Sequence, residues 1–405
     1  MRRFLAYIGF TCAMAVAMTT STLDAAEKPS RATNKPVADF EGEITAKAVR
    51  PHVEFLASRE LKGRSGADAR KAAQYIVAKF SKWGLKPLFG EDGFYQDIPM
   101  PAKEGEEMPD RRIFGRNLGA FLPGSDPKLR DEVLIVSAHY DHLGVRGGRI
   151  FAGADDNASG VSMMLEVARQ LSKLDRPPKR SVAFVGFDLE ERMLWGSRWF
   201  AAHPPWPIER VKMFITADMI GRSLGNLNLP TVFVMGSEHA PALKTALDGV
   251  GQPEGLEVAR LGIDLVGTRS DYGPFRDRKI PFLFFSTGQH PDYHTPNDLP
   301  ERIDFEKVAR VSSLVLRLTK HIADEKSAPR WTDDLVPDID EARAVHRIAT
   351  LLLSADGDDR LSDVQRLVVS HTQTKAGQIV ERKRMTAEER TWLTRMAQVL
   401  LLSVF

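Results

Sequence analysis

The sequence predicts an α/β fold: a three-layer sandwich with a mostly parallel central sheet, helices on both faces and a helical C-terminal extension. Three observations predict it. Short apolar runs at 133–136, 181–187, 211–217, 231–235 and 281–286 have strand length and sit between turn signals. Segments with helical spacing alternate with them, at 158–174, 196–202 and 304–322. Beyond Pro329 only helical patterns remain, at 340–353, 362–370 and 387–404.

The elements follow in order. Arg2 and Arg3 precede an apolar run over 4–18 and a stretch of small polar residues over 19–26. That order marks 1–25 as a secretory signal peptide, with cleavage near Ala25 or Ala26. Residues 26–43, polar and holding Pro29 and Pro36, read as a flexible tether. A helix over 44–58 places Val49, Val53, Phe55 and Leu56 at apolar positions, and Gly63-Arg64-Ser65-Gly66 breaks it. A second helix over 67–83 aligns Ala72, Tyr75, Ile76 and Phe80, with Gly84 as its stop. Residues 99–116 are polar with three prolines and read as a surface excursion. Thr386 and Glu389 form a capping box for the last helix. Asp356, Asp358 and Asp363 do not fit a calcium loop, because Leu361 and Leu367 occupy its glycine and glutamate positions; they read as a solvated acidic turn.

Composition excludes several classes. Among 405 residues, 56 Lys and Arg nearly balance 54 Asp and Glu, so no basic footprint for nucleic acid exists. With 43% hydrophobic residues the chain is not a core-poor disordered one. No stretch past the signal segment has the roughly 18 apolar residues of a membrane span. Cys12, the one cysteine, lies in the signal segment. The processed chain then has neither disulfide nor thiolate, and any metal must be held by His, Asp and Glu.

Such residues gather at strand ends. The run 133–138 leads into His139-Tyr140-Asp141, 181–187 into Asp188-Leu189-Glu190-Glu191, and 211–217 into Asp218. The run 281–286 leads towards Tyr293-His294, and Asp155-Asp156 precedes a helix. Ligands of open α/β sheets collect at the carboxyl ends of strands. Singly each group has an ordinary explanation: Asp156 caps a helix, Glu190-Glu191 starts one, and His139 and His294 are loop residues. Together they make a cleft too anionic to stand without a cation. His and carboxylate donors without sulfur fit hydrolytic Zn²⁺, with Mn²⁺ or Co²⁺ as substitutes. An acidic residue beyond the ligand set suits a general base. Asp141 shares the strand face of His139 and can orient its imidazole.

These segments resemble the secreted bacterial aminopeptidases with two co-catalytic zinc ions, metallopeptidase family twenty-eight of clan MH. The resemblance rests on His139-Tyr140-Asp141-His142, residues 153–160, Glu190-Glu191, Asp218-Met219-Ile220-Gly221-Arg222 and Tyr293-His294-Thr295-Pro296-Asn297-Asp298, in matching order and spacing. Phe55-Leu56-Ala57-Ser58 and Gly63-Arg64 add to it. It covers about 44–325, which it implies is the zinc peptidase domain, with 330–405 a helical extension. It implies two Zn²⁺ per chain. Asp156 bridges them, His139 and Asp218 complete one site, and Glu191 and His294 complete the other. Glu190 is the general base and Asp141 orients His139. The bond after Asp156 is often cis in this family, and one metal receives the substrate's free α-amine.

The resemblance implies an exported enzyme, periplasmic or secreted, acting on peptides and without a membrane span once the signal is cleaved. Two other readings fall in the same fold. A carboxypeptidase or dipeptidase needs a cation to grip the substrate carboxylate, for which Arg222 and Arg269 are candidates; a glutaminyl cyclase works with one zinc. A binding module without catalysis would have lost ligands, and here all five and Glu190 remain. His142 and His290 lie near ligand positions and match none. The tyrosine that some members place ahead of the Ser-Asp pair is missing before Ser270-Asp271, leaving Arg269, Tyr272 or no residue to stabilise the oxyanion. The stretch 99–131 is too short for an inserted protease-associated domain. The C-terminal helices are expected to pack on the core, with partner binding as the alternative.

Overall fold

Helices α1 (Ala46–Leu56) and α2 (Ala67–Lys82) come first. α1 buries Val49, Val53 and Leu56 at the spacing of one helix face. Strands β1 (Lys86–Pro87), β2 (Tyr95–Pro99), β3 (Ile113–Leu122) and β4 (Val133–His139) follow. The ribbon β5 (Gly144–Arg146) and β6 (Arg149–Phe151) leads to α3 (Gly160–Ser172). Then come β7 (Ser181–Phe187), α4 (Trp195–Ala202), β8 (Val211–Ala217), β9 (Thr231–Met235), α5 (Pro241–Val250) and β10 (Glu257–Leu261). The short α6 (Gly273–Arg276), β11 (Phe282–Ser286) and the long α7 (Phe305–Asp324) complete the α/β part. Helices α8 (Ile339–Ser354), α9 (Asp363–Arg382) and α10 (Ala387–Ser403) form the C-terminal extension.

The computed structural model describes residues 44–90, 93–100, 112–354 and 361–403. The expected signal peptide, the tether and most of the acidic turn at Asp356 and Asp358 lie outside the described residues. Among the described residues no helix is long and apolar enough to cross a membrane.

Among the described residues nine strands form one sheet, in the order β1-β3-β7-β4-β8-β11-β9-β10, with β2 on β3. The centre, β7-β4-β8-β11, is parallel. Antiparallel pairs join β3 to β7 and β9 to β11. The expected parallel sheet is therefore parallel at its centre and mixed overall. β4 and β7 are buried along their whole length, as their unbroken apolar runs require. Alternation along the strands divides the core. Leu134, Val136, Leu283 and Phe285 pack with residues of α1, α3 and α7. Ile135, Val185 and Phe214 pack with Phe200 of α4 and Phe275 of α6.

Several elements differ from the sequence expectation, among them the short β1, β2, β5, β6 and α6, which it did not include. Part of the expected excursion, from Ile113, belongs to β3, while 101–111 lies outside the described residues. α5 and the charged edge strand β10 were not expected from the pattern. α9 runs to Arg382, well past the predicted end at 370. The C-terminal helices pack on the core: Ala344, Ala349 and Leu352 of α8 join Ala259 and Leu261 of β10. Arg390 of α10 grips Asp264 at 2.8 and 2.9 Å and Glu341 at 3.1 Å.

Candidate metal centre

The site is built on strand register. Ser137 of β4 pairs with Thr216 of β8, so two residues further His139 and Asp218 stand side by side at the carboxyl edge. Their Nε2 and Oδ1 atoms are 3.4 Å apart. Asp141 lies just past His139. Its carbonyl is 3.3 Å and its carboxylate 3.7 Å from His139 Nδ1. The same carboxylate accepts the backbone N–H of Glu190 at 3.1 Å. One side chain thus faces the imidazole and anchors the loop after β7. His139, Glu190 and Asp218 form a first cluster able to hold a metal ion.

Asp156 joins this cluster to a second. Its Oδ1 is 3.3 Å from His139 Nε2, while its Oδ2 is 3.1 Å from His294 Nε2. His294 Nε2 is also 3.2 Å from Glu191 Oε2. The five residues that the sequence proposes as ligands therefore meet in one place. The peptide bond between Asp156 and Asn157 is cis. The structure adds a residue the sequence reading left aside. His142, fully buried, lies 2.8 Å from Glu191 Oε1 and 3.8 Å from Asp156 Oδ2, and with them makes a second candidate triad.

These contacts are not hydrogen bonds. His139 Nε2, both ring nitrogens of His142, Glu191 Oε1 and Asp218 Oδ1 are buried and make none. Nitrogen and oxygen lone pairs that approach closely yet miss each other's axis point at a shared centre between them. Donors about 2.0–2.2 Å from a tetrahedral Zn²⁺ sit roughly this far apart. The donor set and its unspent atoms fit two divalent cations.

The electrostatics agree. Burial would raise Asp156, but His142, His139 and His294 hold it well below the usual carboxylate range. Glu190 goes the other way: burial, with Asp218, Asp271 and Asp156, pushes it well up against the pull of His139. Two adjacent glutamates are thus driven apart, since the imidazoles of His142 and His294 lower Glu191 despite burial. Such separation is what divides a base from a ligand. Asp271, buried nearby, is pushed by burial to about 7.

The supports were hardly legible in the sequence. Asp298 accepts the backbone N–H groups of Asp155 and Asp156 at 2.9–3.1 Å, tying the bridging ligand to the loop of His294. Asp155 takes the N–H of Gly221 at 2.6 Å and faces His290 Nε2 at 3.3 Å, which places His290 beneath the centre. Arg64, 0% exposed, donates to the carbonyls of Tyr140, Leu56, Ala152, Gly153 and Asp156 at 2.6–3.4 Å. Gly63 lets it enter: with φ at +73°, a Cβ there would lie 2.2 Å from the Phe151 carbonyl. Of the two oxyanion candidates, Tyr272 is buried, and its hydroxyl donates to the Gly267 carbonyl and accepts from Arg269 N–H at 3.0 Å. The Arg269 side chain is exposed. Tyr293 stacks on His294 with ring centroids 3.9 Å apart.

An α/β sheet with two carboxylate–imidazole clusters at its strand ends, sharing one aspartate, is the framework of a two-metal hydrolase. The chain belongs to peptidase family M28, whose model matches residues 117–319, just over half of it. It is 28% identical over 213 residues to Aminopeptidase YwaD of Bacillus subtilis, covering 49% of this chain and 43% of that protein. It is 29% identical over 221 residues to a glutaminyl-peptide cyclotransferase of Boiga dendrophila, covering 45% and 60%. The matched region thus spans less than two thirds of either relative. Among solved structures, a zinc aminopeptidase from Bacillus subtilis superposes with a TM-score of 0.54 at 17% identity, over 73% of this chain and all of that one. At that identity the likeness concerns the fold.

Two outcomes are expected. Arg64→Met lowers the unfolding free energy by about 3–5 kcal/mol, and Arg64→Lys restores little of it, because one ammonium cannot serve five diverging carbonyls. Urea denaturation of the metal-free proteins measures this. His142→Gln weakens the second metal position about 10- to 100-fold and leaves the first unchanged. Calorimetric titration of metal-free protein with Zn²⁺ reads both steps; superimposable isotherms would reduce His142 to a packing residue.

Proposed function

We propose that the protein is a zinc-dependent aminopeptidase that removes N-terminal residues from peptides outside the cytoplasm. The observation that carries this reading is the shared aspartate: each oxygen of Asp156 faces a different imidazole, with Glu190 in the first cluster. His139, Asp156 and Asp218 would hold one zinc ion, and Asp156, Glu191 and His294 the other. When bound, zinc polarises the scissile carbonyl and lowers the pKa of water. Glu190, kept basic by burial among carboxylates, takes the proton of the attacking water and hands it to the leaving amine. Asp141 fixes the backbone at Glu190 and faces His139, so base and ligand move as one body.

The family membership and the aminopeptidase name of the Bacillus relative support the reaction class. The charged, apolar, small-residue order of 1–25 supports export.

Glu190→Gln is expected to keep two zinc ions by elemental analysis and to lose about 10²- to 10⁴-fold in kcat. Near wild-type turnover in that variant would remove Glu190 from the role of base. Asp156→Ala is expected to retain at most one zinc and no turnover. Activity of the metal-free protein should keep rising to the second equivalent of Zn²⁺. Saturation at the first equivalent, with loss of ammonia from N-terminal Gln, would instead identify a cyclase.

A further inference from the structure

Beside the metal centre the same sheet edge carries a cleft of about 460 Å³ with the opposite charge. β9 runs antiparallel to β11 and β10 parallel to β9. The N-terminal ends of β9 and β10 therefore lie at the edge where β4, β7, β8 and β11 end. Residues 227–230, which lead into β9, form one wall, Gly255 before β10 another, and the start of α7 the floor.

Four cations line it: Arg222, Arg302, Lys307 and Arg310. Two carboxylates oppose them. Asp304 is engaged as the cap of α7, accepting from Lys307 N–H at 3.0 Å. Asp292, two residues from His294, takes Arg222 at 3.0 Å and Arg302 at 3.1 Å. Lys307 is buried, and its ammonium donates only to neutral oxygens, the Arg222 and Leu229 carbonyls at 2.9 and 2.6 Å and the Ser223 hydroxyl. Arg222 is 8% exposed and its Nη1 makes no hydrogen bond. Gly255, at φ +73°, lies against the Arg310 guanidinium, which a Cβ there would approach to 3.1 Å. Asp292 pairs with Arg222, and Asp304 and Asp155 act on Lys307 without accepting from its ammonium, so the four cations outnumber the carboxylates in direct ion pairs with them, and a planar guanidinium with an unspent donor matches a further carboxylate.

The cations of the cleft are complementary to the free C-terminal carboxylate of a peptide whose N-terminal end lies at the neighbouring metal centre. Arg222 is four residues from Asp218, so their Cα atoms are at most about 14 Å apart, the length of roughly four extended residues. We propose that the cleft receives the C-terminal carboxylate of short peptides and so selects substrates of a few residues with an unblocked C-terminus. This rests on the peptidase reading of the neighbouring centre.

The test uses zinc-loaded full-length protein and tri- to pentapeptides of one sequence, each as free acid and as C-terminal amide. KM is measured on the wild type, and Kd by calorimetry on Glu190→Gln. The free acid should bind about 10- to 100-fold more tightly than the amide. Arg222→Gln should bring that ratio below threefold. Arg310→Gln, at a half-buried position less able to disturb folding, should do the same, and thermal melts check both variants. Inorganic phosphate should compete with the acid and not with the amide. Equal binding of acid and amide overturns the proposal, as does a preference that both variants keep. Phosphate binding lost in Arg310→Gln without any acid preference would also overturn it, making the cleft a receptor for a free oxyanion. Turnover of both forms at equal KM would sink this inference and spare the peptidase; absence of all turnover would sink the peptidase, while the acid/amide Kd ratio still decides the cleft.

Discussion

One buried guanidinium carries the architecture of the centre. Arg64 faces five backbone carbonyls drawn from α1, from the loop after β4 and from the turn that bears Asp156. The β5–β6 ribbon joins the last two, and α1 is distant from both in the chain. Backbone carbonyls at such depth need donors, and a planar fork with five N–H groups supplies them from one residue. Burial lowers its pKa to about 10, even with Asp156, Asp298, Asp141 and Glu191 opposing that drop, so at neutral pH it remains a cation. It is therefore both the pin and a fixed positive charge acting on the anionic cluster.

A second tier works through carboxylates that bind backbone rather than metal. Asp298 holds the amides of Asp155 and Asp156, Asp155 holds that of Gly221, and Asp141 holds that of Glu190. Each links a ligand-bearing segment to another from a different strand. Carboxylates placed this way fix the ligand geometry before any ion arrives, which is the condition for tight and oriented binding. The donors themselves are left with atoms that find no protein partner. Rigid support and unspent donors together make the site a receptor for cations rather than a packed ion-pair network. The basic cleft one loop away extends the same edge and gives it a polarity that runs along the direction of a bound peptide.

Much of this was legible in the sequence. The apolar runs at 133–136, 181–187 and 211–217 lie in strands because both their faces are covered, and the strand ends locate His139, Glu190, Glu191 and Asp218. β3 and β10 were less legible. β3 carries Arg116 and Asn117 within it, and β10 is an edge strand with Glu257 and Arg260 facing partly outward. The antiparallel outer pairs depend on how loops return, which periodicity does not encode. α9 outlasts its apolar signal because only Val369, Thr372, Ala376 and Ile379 of its 20 residues are buried. Arg64 and His142 lay beyond reach for another reason: their roles come from tertiary approach, and in the sequence one is a turn residue and the other a neighbour of a ligand.

The central claim is cleavage from the free N-terminus at the paired centre, and one measurement meets it directly. Peptides, each present with a free and with an acetylated N-terminus, are incubated with the zinc-loaded protein and followed by mass spectrometry. The account predicts stepwise loss of residues from free N-termini alone, abolished by a chelator. Loss from C-termini, or equal cleavage of acetylated peptides, would contradict it.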